Sequence, residues 1–222
     1  MSNTTPAEPA MAPRESSQSQ DYVTPPFLVA AVGASAGGLE AFSTLLCAMP
    51  GDAPLAVVLV QHLSRTHESQ LPEILATRTA LQVVAATDHM RVESGHVYVI
   101  PPDTHMTVID GHLRVRPRPA TGTVQIDALF QSIAEYYGRK AVGVVLSGAL
   151  HDGAEGFRAI RAAGGFTFAQ LPEEAQTGSM PRAAIATGDV DMILPAKEIG
   201  EQLLQLAASP RFKDKRGTYP GP

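Results

Sequence analysis

Apolar residues along this chain fall into short, nearly unbroken runs that alternate with stretches of helical spacing. Phe27 to Val32 and Ala56 to Val60 are runs of the first kind, each followed by a helix-like stretch, Leu39 to Met49 and Glu68 to Arg78. Leu81 to Ala85 follows, and Ala141 to Leu146, Phe166 to Ala169 and Met192 to Leu194 repeat the strand pattern. Helical spacing recurs at Ile126 to Tyr137, Gly153 to Ala163 and Ile199 to Ala208. Continuous apolar strands are buried on both faces, so the alternation predicts a doubly wound α/β fold, a mostly parallel sheet with helices on both faces. His96 to Pro101, Met106 to Ile109 and Leu113 to Arg116 are short alternating segments broken at Pro102-Asp103 and Asp110-Gly111. They predict a small antiparallel hairpin insert.

The periodicity stops at both ends, which divides the chain into three parts. Residues 1–26 are rich in Ser, Thr, Pro, Glu and Gln and are expected to be a disordered tail; they lack the basic and apolar regions of a signal peptide. Residues 27–208 are expected to form one domain, and 209–222 a second loose end that turns charged and Gly/Pro-rich from Arg211. A formal net charge of −5 gives no drive toward nucleic acid or anionic membrane. No window reaches the roughly eighteen apolar residues of a membrane span, so a cytoplasmic location is the default. The single cysteine, Cys47, falls among Leu45, Leu46 and Met49 and is expected to pack in the core.

The strand ends carry the candidate chemistry. Gly33-Ala34-Ser35-Ala36-Gly37-Gly38 joins a strand to a helix and puts a serine on a sharp turn, where glycines admit close approach and the helix start supplies free N–H groups. Such turns also bind phosphates or dinucleotides, and many serve packing alone. A dinucleotide site wants an acidic residue at the end of the second strand, whereas that strand ends here in Gln61-His62. Ser35, His62 and Asp152 all follow strands and supply a nucleophile, a base and an acid to orient the base. His151 is a weaker alternative as base. Asp152, in a glycine-framed turn, has the competing role of N-cap to the helix that follows it. Arg114, Arg116 and Arg118 alternate on one strand face, as on an edge protected from aggregation.

Val32 to Gly38, Val60-Gln61-His62, Val97-Tyr98-Val99-Ile100-Pro101-Pro102, Ser147-Gly148 through Asp152-Gly153, and Met180-Pro181-Arg182-Ala183-Ala184-Ile185 occur in the order found in chemotaxis-receptor protein-glutamate methylesterases. The chain resembles their CheB-type catalytic domain over roughly Phe27 to Ala208. That resemblance implies hydrolysis of glutamate γ-methyl esters on chemoreceptor or receptor-like cytoplasmic helices, with release of methanol and with glutamine deamidation as a second activity. It implies Ser35 as nucleophile, His62 as general base and Asp152 as orienting acid. The Ala149 N–H, aided by the helix start at Ala36, would stabilise the oxyanion, and Arg182 and Met180 would line the substrate site. Neither cofactor nor metal is implied, and a receptor methyltransferase is a further implied partner.

Three departures stand out. Ala36 occupies a position where many members carry threonine, His151 replaces a small polar residue, and Pro119 to Gln125 lack a His-Arg-Pro-Ser run. These departures keep open a catalytically idle binding module of the same fold. Familiar members also carry an N-terminal receiver domain that gates the cleft; the stretch before Phe27 is too short for one, so an ungated esterase is expected.

Overall fold

The computed structural model describes residues 26–62, 70–119, 124–149, 151–210 and 212. Nearly all of the expected N-terminal tail, most of the expected C-terminal one and most of the departing stretch before Gln125 lie outside them, but Phe212, expected in the C-terminal loose end, is buried against the core. Seven strands form one parallel sheet in the order β3-β4-β2-β1-β7-β8-β9. Its centre is β1 (Leu28–Ala34), flanked by β2 (Leu55–Gln61) and β7 (Ala141–Val145). The outer strands are β3 (Gln82–Ala85) and β4 (His96–Val99) on one side, and β8 (Phe166–Gln170) and β9 (Met192–Leu194) on the other. The chain moves outward from β1 to β2, then returns to lay β7 against the opposite edge of β1. The order of strands therefore reverses between β1 and β7, and the crevice beyond their carboxyl ends is where such sheets bind ligands.

Strand residues alternate between two cores. Leu28, Ala30, Val32 and Ala34 face α1 (Gly38–Cys47) and α6 (Ala196–Ala208), while Val29 and Ala31 face α3 (Gln125–Tyr137) and α4 (Ala154–Ala162). All of these strand residues are buried, which is why β1 reads as a continuous apolar run. A short α2 (Leu71–Ala76) precedes β3. The hairpin of β5 (Thr104–Ile109) and β6 (His112–Pro117) packs on α3, where Ser132 Oγ accepts the Val108 N–H at 3.0 Å.

Two expectations need correction, those for His96–Val99 and for Cys47. His96–Val99 is not part of the antiparallel insert: it lies in the main sheet, parallel to β2 and β3, with Val97, Tyr98 and Val99 buried. Its alternation reflects two different buried faces rather than one wet face. A helix, α5 (Ser179–Ala186), runs through the Met-Pro-Arg motif, with Pro181 tolerated in the first turn, where its missing N–H has no intrahelical partner to lose. Cys47 is exposed and donates its thiol to the Arg78 carbonyl at 2.7 Å. The buried stripe of α1 is Ala41, Phe42, Leu45 and Leu46, and a residue 100° past Leu46 turns away from it.

One close approach sets the spacing between sheet and helix. A Cβ on Gly33 would stand 2.5 to 2.8 Å from three side-chain carbons of Ile126, the second residue of α3. Gly33→Ala should therefore destabilise the fold by about 1–3 kcal/mol through overpacking. In an Ile126→Ala background the same change should cost much less; urea unfolding of the four proteins measures that coupling, and additive costs would show that the contact does not limit the spacing.

Candidate active site

The site is assembled by backbone pairing before any side chain takes part. Ala34 pairs with Gln61 in the parallel ladder, and the His62 N–H donates to the Ala34 carbonyl at 3.1 Å. Ser35 and His62 thus leave adjacent strands side by side. On the other flank, the Ser35 N–H donates to the Ser147 carbonyl at 2.9 Å, which fixes the serine turn to the end of β7. Gly148 lets the two turns approach: a Cβ there would lie 3.1 Å from Ser35 Cβ.

Ser147 ties the turns together with its hydroxyl. Its Oγ donates to the Ala36 carbonyl at 2.7 Å and accepts the Thr177 N–H at 3.0 Å. The Gly148 N–H donates to the Thr177 carbonyl and the Met180 N–H to the Gly148 carbonyl, each at 2.9 Å. Gln61 Nε2 reaches the Ser35 carbonyl at 3.4 Å. The glutamine at the end of β2, which had argued against a ribose site, therefore braces the serine turn.

His62 and Asp152 meet. Nε2 of the ring lies 2.7 Å from Asp152 Oδ2, with the two side chains 9% and 5% exposed. The same carboxylate accepts the Ile126 N–H on Oδ2 and the Asp127 N–H on Oδ1, each at 2.9 Å. Asp152 is thus a helix cap after all, but of α3 rather than of α4, whose N-cap position belongs to Gly153. Burial alone would raise the Asp152 carboxyl; the bonds from His62, Ile126 and Asp127 outweigh it and hold the group below the usual aspartate range. An anion is therefore kept against the ring. With a proton on Nε2 to meet it, the free lone pair of His62 is on Nδ1.

Asp127, in the first turn of α3, returns the favour by accepting the Gly156 N–H on Oδ1 at 2.6 Å. Each helix start is thus capped by an aspartate from the other. Sequence reasoning missed Asp127, because an acidic residue in a first helical turn is ordinary. Burial pushes its carboxyl up to about 6, with the Asp152 charge acting in the same direction.

The remaining expected residues are placed as follows. The Ser35 hydroxyl forms no hydrogen bond to His62 among the described residues, an arrangement common where the contact tightens only around bound substrate. Ala36 and Ala149 are exposed, the latter next in sequence to Gly148, and His151 is exposed while the ring bonded to Asp152 belongs to His62. Met180 is only 1% exposed, with its sulfur where a Gly148 Cβ would stand, so it has almost no surface left for a substrate to touch. Arg182 is exposed on α5, its Nη2 3.6 Å from Glu173 Oε1. Among the described residues no three His, Cys, Asp or Glu side chains are grouped to hold a metal ion, and no helix is long and apolar enough to cross a membrane.

Known proteins agree with this architecture. The family model described as CheB methylesterase matches residues 30–203. A Geobacter sulfurreducens protein named protein-glutamate methylesterase/protein-glutamine glutaminase 3 is 37% identical over 183 residues, 80% of this chain and 49% of its own length. An Anaeromyxobacter dehalogenans protein of the same name, numbered 6, is 39% identical over 84% of this chain and 56% of its own. The chain thus spans about half the length of these two relatives, and 92% of a Leptospira interrogans relative that is 33% identical. The crystal structure of the Thermotoga maritima CheB methylesterase catalytic domain superposes with a TM-score of 0.75 at 27% identity, covering 81% of this chain and 98% of that one.

Two stability predictions follow from the paired caps. Asp152→Ala strips the acceptor from two N–H groups of α3 and should lower the unfolding free energy by about 1–3 kcal/mol in urea titration, with Asp152→Asn costing less. A cost near zero would mean that the α3 start finds another acceptor. For Asp127 the sign is reversed. Its carboxyl titrates higher in the folded chain than in the unfolded one, so wild type gains stability as pH falls from above 6 toward 4. Relative to Asp127→Asn, wild type should be less stable at pH 8 by about 1–3 kcal/mol and should recover most of that by pH 4. A pH-independent difference would place the Asp127 carboxyl in the ordinary range.

Proposed function

Because the chain belongs to the CheB methylesterase family, we propose that it is a serine hydrolase that demethylates glutamate γ-methyl esters on the cytoplasmic helices of a chemoreceptor or receptor-like protein. The observation that carries this reading is the buried His62–Asp152 pair at 2.7 Å, set at the carboxyl end of the sheet beside the Ser35 turn. An idle binding module would have no need to keep an imidazole bonded to a buried carboxylate.

In this reading Ser35 Oγ attacks the ester carbonyl carbon as His62 Nδ1 accepts the hydroxyl proton. The carbonyl oxygen becomes an oxyanion, stabilised by backbone N–H groups at Ala149 and at the start of α1 from Ala36. Collapse of the tetrahedral intermediate expels methoxide, which takes the proton from His62 and departs as methanol, leaving the glutamyl side chain esterified to Ser35. Water then attacks that ester, giving its proton to His62, and the free glutamate leaves as the proton returns to Ser35. Deamidation of a glutamine follows the same route with ammonia as leaving group. Asp152 stabilises the imidazolium in both halves, because Nε2 faces it while Nδ1 does the transfers.

Residues 27–208 are the unit that carries the activity, and its place of action is the cytoplasm. Arg182, exposed on α5, is the residue for an acidic receptor surface, and a receptor methyltransferase is a further partner. Met180 contributes beneath Gly148, holding the oxyanion turn rather than the substrate.

Ser35→Ala and His62→Ala should each lower methanol release from a methylated receptor fragment by about four to six orders of magnitude, with far-ultraviolet dichroism unchanged. Asp152→Asn should cost somewhat less. The wild-type rate should fall as pH drops and the general base takes up a proton. Near-normal turnover in Ser35→Ala would overturn the assignment, and equal losses in His151→Ala and His62→Ala would reopen the identity of the base.

A further inference from the structure

Asp127 is a buried acid, 5% exposed, that the hydrolysis described above does not use. Resting on the reading of this site as an esterase, we propose that Asp127 is a positioning residue for His62, acting through Asp152 to set both where the ring is held and how strongly it keeps a proton.

The positional half of the argument is geometric. Asp152 is held by three donors, and two of them, the N–H groups of Ile126 and Asp127, come from the first turn of α3. Where α3 begins therefore decides where the carboxylate stands. That start is fixed against α4 by the Asp127 carboxyl on the Gly156 N–H at 2.6 Å. Ile126 completes the lock, since its side chain fills the space that a Cβ on Gly33 or Gly153 would take. A shift of α3 is a shift of Asp152, and so of the ring.

The electrostatic half follows from what faces the two acids. Asp127 meets Asp152 from the start of α4, together with the N–H groups of Gly153 and Gly156. Asp152 meets His62 from the end of β2 and the two N–H groups of α3. Among the described residues, no cation other than a protonated His62 acts on either aspartate. Burial pushes the Asp127 carboxyl up to about 6, so it gains its charge across the pH range around that value. Above that range the site holds two carboxylates, and the second one favours the imidazolium that forms when Ser35 gives up its proton. Asp127 thereby strengthens the base without touching it.

The test uses the full chain and Asp127→Asn, whose amide oxygen still accepts the Gly156 N–H but never carries charge. With the charge gone the imidazolium is less favoured, so the acidic limb of kcat should move to lower pH by about half a unit or more. At pH 8, kcat should fall about three- to thirtyfold with KM within about twofold of wild type. A purely structural Asp127 would leave the acidic limb where it is, and superposed limbs overturn the proposal. A second measurement needs no activity and no variant: carboxyl and imidazole NMR on wild type. The Asp127 carboxyl and the His62 ring should each show the other's titration as a second inflection. Independent single-step curves would overturn the proposal even if Asp127→Asn fails to fold. If wild type releases no methanol from any methylated receptor fragment, the esterase reading fails, while the NMR curves still decide whether Asp127 acts on the ring.

Discussion

The Asp152 carboxylate is the constraint on which the rest of the site depends. It accepts one ring nitrogen and two backbone N–H groups, and those three donors arrive from the end of β2 and the start of α3. Three bonds of this kind each stabilise the charged form, and together they overcome the burial that would otherwise neutralise the group. One side chain therefore does two jobs that are usually separate: it caps a helix, and it fixes which nitrogen of His62 is free. The sheet supplies the remaining order, because parallel pairing of β1 with β2 and β7 brings the three strand ends to one edge.

The helices can crowd that edge only because certain side chains are missing. Gly33 admits Ile126 against the sheet, and Gly148 admits both Ser35 and Met180. Gly153 serves a different need as well, since its φ of +98° is one that other residues rarely adopt at the entry to a helix. Ser147 then closes the space from the opposite flank, with its one hydroxyl donating to the serine turn and accepting from the loop before α5. The nucleophile's turn is thus held by neighbours on both sides, an arrangement that limits drift in the position of Ser35.

Much of this was legible in the chain, and the reasons for the exceptions are physical. Strands buried on both faces announce themselves as apolar runs, so β1, β2 and β7 and the residues just past them could be located from pattern alone. Distances across the fold could not. An aspartate in a glycine-framed turn before a helix reads as that helix's cap, and nothing local reveals that its carboxylate reaches α3, 26 residues away in sequence. Asp127 was invisible for the same reason. His96–Val99 was assigned to the insert because its residues alternate, a pattern that cannot tell a half-wet strand from one lying between two unlike cores. Cys47 was misplaced by reading nearness in sequence to Leu46 as nearness in space, which a helix does not permit.

Two buried carboxylates side by side are a poor arrangement for stability, and a fold selected for stability alone would replace one of them by an amide. Each acid caps the other's helix, yet an asparagine at position 127 would cap Gly156 without the buried charge, and without the lesser repulsion from Asp152, that together push the carboxyl up to about 6. The arrangement makes sense if the charge has a use, and the use lies one bond away, at a ring that must take up a proton during each half of the reaction. The cost falls on the folded state as a whole, while the benefit is confined to His62. A strained electrostatic pair at the meeting of two helix starts is what the site would need if its base had to be stronger than one aspartate could make it.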